Sequence, residues 1–113
     1  MKKIEPKINK GDIFVLNNLQ AFGHEQKGAR PHVVVTQITG KTVTIAPFTT
    51  STNVKKYSVK ISPDNINHLT SISYVLISQA FASDISLLTN KVGNLKSEDI
   101  LKVQLEYVKY VTD

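Results

Sequence analysis

The sequence predicts a small, mostly β domain closed by a single C-terminal helix. Two observations carry that prediction. Short apolar or alternating runs of strand length recur along the chain with turn residues between them, while only the last segment shows the period of an amphipathic helix. No internal repeat, low-complexity tract or linker divides the 113 residues, which suit one domain (1–113) with one core. Five or six short strands and one helix at this length read as a small curled sheet or barrel with the helix closing it.

Residues 1–10 are polar and aperiodic, and Lys2, Lys3, Lys7 and Lys10 mark them as a flexible N-terminus. Gly11-Asp12 opens IFVL (13–16), a β-prone run. From Asn17 to Arg30 the sequence reads as a loop of about fourteen residues, long enough to suggest function. HVVVT (32–36) is a strand, with Pro31 at its start where a missing N–H costs little. Gly40-Lys41 turns into TVTIAPF (42–48), which places Val43, Ile45 and Pro47 on one face. TTSTN (49–53) is a polar loop, and YSVKI (57–61) then alternates with Tyr57, Val59 and Ile61 inward.

Pro63-Asp64 begins a turn or short helix to about Leu69, and SYVLIS (73–78) is apolar enough for a central strand. Ser83-Asp84 caps a single helical turn through Leu88, and KVGNL is a short closing strand. Ser97 is the expected N-cap of the terminal helix, with Glu98 and Asp99 at its positive end. Leu101, Leu105 and Val108 follow at i, i+4 and i+7, flanked by Ile100, Val103 and Val111, and are expected to form its core-facing side.

Composition narrows the function. A net charge of +5 and a pI near 9.5 favour a polyanionic or acidic partner. The absence of cysteine excludes disulfides and thiolate metal sites and suits a reducing cytosol. No segment resembles a signal peptide, and no run approaches the roughly 18 apolar residues of a membrane span. A soluble cytoplasmic protein that meets no membrane is expected. The histidines are not spaced as metal ligands, and neither a phosphate loop nor a nucleophile elbow is present, so neither metal nor organic cofactor is expected.

What remains is the segment GHEQKGARP (23–31), which holds His24 and the chain's only arginine, Arg30, in a chain whose other 13 basic residues are all lysine. Arginine holds a phosphate through two parallel charge-assisted hydrogen bonds and stabilises the added charge of a phosphorane-like transition state. Histidine moves protons at neutral pH. The hydroxyls of Thr49, Thr50, Ser51 and Thr52 can orient a phosphate oxygen. Together these groups could cleave RNA through its own 2′-hydroxyl. Each also has a plainer reading: Arg30 as an ion pair with Glu25, His24 as a solvated loop residue, the hydroxyl cluster as an edge-strand turn. His32 and His68 read as structural. Tyr57, Tyr74 and Phe48 read as core, although Tyr57 beside Lys55 and Lys56 offers a platform for a base.

In combination, GDIFVL, GHEQKGARPHVVV, TVTIAPFTT and SYVLISQ resemble the MazF/PemK toxins of bacterial toxin–antitoxin modules, over about residues 11–111. The GHEQ start resembles the PemK/Kid branch. The resemblance implies an SH3-like barrel with a C-terminal helix, of the MazF/PemK/CcdB type, assembled as a homodimer. It implies a ribosome-independent endoribonuclease (an mRNA interferase) that cuts single-stranded RNA at short sequences, leaving 2′,3′-cyclic phosphate and 5′-hydroxyl ends. It further implies a cognate antitoxin with an acidic, disordered tail.

By position, the resemblance assigns Arg30 to phosphorane stabilisation, Thr49 to the scissile phosphate and His24 to acid/base work. Glu25, Gln26 and Gly28 match loop-shaping residues, and Gln79 matches the glutamine ending the later strand. With Lys27, Thr50, Ser51, Lys55, Lys56 and Phe81 they make up the expected RNA contacts. Leu76 and Ser78 stand where the PemK branch has an arginine and an aspartate, and Phe81 replaces the usual arginine or lysine. Two other readings follow: a non-nucleolytic toxin of the same fold that binds a protein such as DNA gyrase, as CcdB does, or a catalytically weak antitoxin-binding member.

Overall fold

Alternate burial folds the apolar runs into strands in the computed structural model, which describes residues 7–17, 29–37, 39–53 and 56–113. Among these are seven strands: β1 (Asp12–Asn17), β2 (Ala29–Val34), β3 (Thr42–Thr49), β4 (Ser58–Ile61), β5 (Ser73–Leu76), β6 (Phe81–Asp84) and β7 (Lys91–Asn94). One helix, α1 (Ser97–Thr112), follows. All pairings are antiparallel, in the order β4-β5-β3-β2-β1-β7, with β6 beside β3. This matches the mainly β, helix-closed architecture that the sequence predicts.

Opposed residues share a face, so the register defines two faces. On the inner face Ile13 meets Val33 and Val33 meets Ala46, while Phe48 meets Val75 and Val75 meets Val59. These residues, with Ile61, Ile77, Leu95 and Val103 of α1, form the main buried cluster. A smaller cluster (Phe14, Val34, Val43, Ile45 and Leu88) lies on the outer face, so the strands reading as continuous apolar runs are covered on both sides.

The turn 64–67 is locked by its own side chains. Asp64 accepts from Ile66 N (2.9 Å) and Asn67 N (2.7 Å), and Asn67 accepts from Asp64 N (3.1 Å) and Leu69 N (2.9 Å). β7 crosses this turn so closely that a Cβ on Gly93 would lie 2.5 Å from the carbonyl oxygen of Asn67. Only glycine fits there. Asp84 caps the 3-10 turn Ile85–Leu87 by accepting from Ser86 N (2.9 Å), as its sequence suggests.

Several expectations are corrected. β2 begins at Ala29, so Arg30 and Pro31 lie in a strand rather than at a loop's end, paired with Leu16 and Val15. Tyr57 precedes β4 in the left-handed region (φ 62°), although its side chain packs against the inner core. The run 73–78 is strand only to Leu76 and then becomes a 3-10 turn, Ile77–Gln79. β6, which was not foreseen, continues β5 along the same edge of β3 beyond that turn. The change of register falls opposite Pro47, which has no N–H to give a neighbour.

At α1 the cap is Lys96, whose carbonyl accepts from Asp99 N and Ile100 N (both 3.0 Å); Ser97 is the first helical residue. The helix buries Val103, with Ile100 and Tyr107 packed against the core. The predicted stripe faces outward instead, with Leu101 56% and Leu105 61% exposed and Val108 and Val111 beside them. The helix carries apolar residues on both sides, and Ile100 docks over the bare Cα of Gly11, where a Cβ would lie 2.6 Å from its side chain. No helix among the described residues is long and apolar enough to cross a membrane.

Candidate functional site

The outer face of the sheet carries the polar chemistry. The β2–β3 register pairs His32 with Pro47 and Val34 with Ile45. That ladder ends at His32 and Pro47, and strand parity puts Arg30 of β2 and Thr49 of β3 on the same face, two residues further along each strand. Thr49 pairs with Tyr74 on β5, and Tyr74 pairs with Lys60 on β4. A row of Thr49, Tyr74 and Lys60 therefore crosses three adjacent strands, about 10 Å at the usual strand spacing, with Arg30 on the same face of β2. Its neighbour row holds His32, Pro47, Leu76 and Ser58.

Arg30 is half-buried and makes no ion pair with a described residue. Lys60 is exposed and also forms no such ion pair. The Thr49 hydroxyl accepts from Ser51 N (3.2 Å), and the Ser51 hydroxyl accepts from Asn53 N (3.3 Å). Two successive hydroxyl turns thus shape 49–53. Because Thr49 accepts in that contact, its O–H proton remains available to an outside oxygen.

His32 is a buried titratable group of this face, 6% exposed. Its Nδ1 lies 2.8 Å from the carbonyl oxygen of Arg30. A carbonyl can only accept, so Nδ1 carries the proton and donates it. Its ring meets Phe81 edge-on, with centroids 5.9 Å apart. Burial holds the imidazole below the usual histidine range; the hydrogen bond to Arg30 opposes that effect, and the charge of Arg30 adds to it. The ring is favoured neutral, leaving Nε2 an acceptor.

The structure thus puts Arg30 and Thr49 on one face and places Phe81, 46% exposed, on the same face through its pairing with Ile45. Thr50 and Ser51 are exposed beyond β3, and Gln79 with Ser78 is exposed on the 3-10 turn. That turn is tied to the start of β4 by Ile77 N donating to the carbonyl of Tyr57 (2.9 Å). Lys56 sits 4.9 Å over the Tyr57 ring, whose edge contacts Tyr110 and whose hydroxyl donates to Asp113. The foreseen Tyr57 platform is therefore engaged by the end of α1. His24, Glu25, Gln26, Lys27, Gly28 and Lys55 lie outside the described residues, as does most of the loop 17–30.

Sequence reasoning missed His32, Tyr74 and Lys60 as members of this face. The available signal was parity: Arg30 and His32 are two apart in a strand, and so share a face. Among the described residues no group of three or more histidines, cysteines or carboxylates could hold a metal ion.

A curled antiparallel sheet closed by a C-terminal helix, with cationic and hydroxyl side chains on its outer face, defines a class of small, mainly β proteins. The chain belongs to the PemK-like, MazF-like toxins of type II toxin–antitoxin systems, whose family pattern it matches over residues 9–108. No curated protein matches the sequence. Among solved structures, an endoribonuclease in complex with its cognate antitoxin from Mycobacterial species is similar, with TM-score 0.74 and 15% identity, covering 94% of this chain and 96% of that chain. MazF from Deinococcus radiodurans aligns with TM-score 0.71 and 18% identity over 96% of this chain and 100% of that chain. Mycobacterium tuberculosis toxin MazF-mt6 aligns with TM-score 0.66 and 21% identity over 90% and 96% respectively. At these identities the likeness establishes the shared fold.

Proposed function

We propose that this chain is an endoribonuclease toxin, an mRNA interferase that cuts single-stranded RNA at short sequences without the ribosome or a metal ion. The observation that carries the reading is strand parity, which puts the sole arginine and Thr49 on one face of the sheet in a chain of this family. In the reaction the RNA 2′-oxygen attacks the adjacent phosphorus and gives its proton to a base. The P–O5′ bond breaks and the leaving oxygen takes up a proton, so the products are a 2′,3′-cyclic phosphate and a 5′-hydroxyl. Arg30 stabilises the extra charge on the phosphorane, and the Thr49 hydroxyl donates to a non-bridging oxygen. His24 supplies the acid/base function in this scheme. Tyr74 and Lys60 extend the row to a neighbouring base and phosphate.

A basic chain of +5 also suits an antitoxin with an acidic tail, and the similar mycobacterial structure is such a toxin–antitoxin complex. The exposed Leu101, Leu105 and Val108 on α1 support a homodimer, because a second copy would cover them. The deciding experiment is cleavage of a long single-stranded RNA in EDTA, wild type beside Arg30→Ala. Discrete fragments with cyclic-phosphate ends are expected, with the rate lowered about a hundredfold or more in the variant. Failure of the wild type to cleave overturns the reading in favour of a toxin or antitoxin partner that acts by binding protein.

A further inference from the structure

We infer that His32 is a positioning residue that holds Arg30 and Phe81 in one fixed arrangement for the RNA. The inference rests on the proposed nuclease reading and adds a residue that the reading does not use.

The need for such a brace follows from Pro31. A proline in a strand offers no N–H to either neighbour, so β2 loses a ladder bond immediately beside the arginine on which the reaction depends. Pairing of β2 with β3 also ends at His32 and Pro47, so the strand end bearing Arg30 is unpaired toward β3. The His32 imidazole makes good part of this loss. Its Nδ1–H takes the carbonyl of Arg30 at 2.8 Å and so fixes the peptide between Arg30 and Pro31. A side-chain cation swings with the backbone that carries it, and a shift of about 1 Å at a reacting centre costs up to a hundredfold in rate.

The second contact reaches another strand. Phe81 is the exposed aromatic of β6, and the edge of the His32 ring sets its orientation from across the sheet. A ring held in one orientation loses less freedom on stacking with a base. One buried imidazole therefore links the residue that handles the phosphate to a residue placed to stack on a base. The burial that disfavours its charged form also keeps a second cation from forming next to Arg30.

The two contacts are separable by substitution. Asparagine at 32 carries an N–H near the place of Nδ1 but no ring; phenylalanine carries the ring but no donor; valine carries neither. RNA cleavage is followed at one prominent site, with kcat and KM resolved, alongside backbone amide spectra of the full chain. His32→Phe is expected to lower kcat about tenfold or more while KM stays within about threefold. His32→Asn is expected to keep kcat within about threefold and raise KM, and His32→Val to suffer in both. In the spectra, the Arg30 resonance moves in the valine and phenylalanine variants and less in the asparagine variant, while β7 is unaffected.

If the wild type cleaves and all three variants cleave alike, the positioning role is overturned and the nuclease reading stands. A uniform loss in all three with an equally lowered melting temperature overturns it in favour of a merely structural histidine. If the wild type cleaves nothing, the nuclease reading falls and the positioning role for cleavage falls with it. Unmoved Arg30 and Phe81 resonances in His32→Val overturn the brace itself, whatever the enzyme does.

Discussion

The two faces of the sheet differ in what selects their residues. The inner face, from Ile13 through Val33, Ala46, Phe48 and Val75 to Val59, is aliphatic or aromatic at every position, and its members are interchangeable in kind. One residue away along the same strands, the outer face holds a histidine, a threonine, a tyrosine and a lysine, with an arginine further along β2. Exclusion of water is enough to explain the first face. It does not explain the second, where the arginine, the lysine and one hydroxyl proton remain free for an outside partner among the described residues. The main core thus lies on one side of the backbone, and the free polar groups lie on the other beside a smaller apolar cluster.

The contrast can be broken from either side. The largest effect belongs inside: Ile61→Ala, at a fully buried position, is expected to cost about 2–5 kcal/mol in denaturant unfolding. RNA binding measured below the unfolding transition should be unchanged, and a selective loss of binding would blur the division. The next belongs outside. Tyr74→Ala is expected to weaken single-stranded RNA binding about tenfold or more, with Tyr74→Phe close to wild type. An equal loss in both variants would assign the hydroxyl rather than the ring.

Lys60→Ala should lower affinity modestly and flatten the salt dependence by about 0.7 in log–log slope, as expected for one phosphate contact to a single strand. An unchanged slope would remove Lys60 from the row. Smallest of all, Leu105→Gln on the outward side of α1 should change the stability of the isolated chain by no more than about 0.5 kcal/mol. Light scattering at equal concentration tells whether that side is instead buried between two copies.

Legibility in the sequence followed the same division. Alternation marked Val59 and Ile61, the continuous run marked Val33–Val35, and both proved inward or buried because burial alone chose them. Arg30 was assigned to a loop because Gly28 and Pro31 flank it, and such punctuation normally ends strands; here proline is accepted inside β2. β6 escaped notice because FASD has no alternation, its place being dictated by the neighbouring edge of β3. On α1 the apolar residues run around too much of the helix for period alone to choose a side, and the bare Cα of Gly11 decides it through Ile100. His32 was read as structural, and its burial supports that; its link to Arg30 depends on a side-chain contact that no spacing encodes.

β3 has strands on both of its edges, β2 along one and β5 followed by β6 along the other. Its central amides are therefore expected to exchange later than those of β4 and β7, which end the strand order. Thr49 closes β3, beyond its last pair with β2 and beside Tyr74 of β5. The hydroxyl proposed for the scissile phosphate thus sits where β3 runs out, anchored along one edge alone.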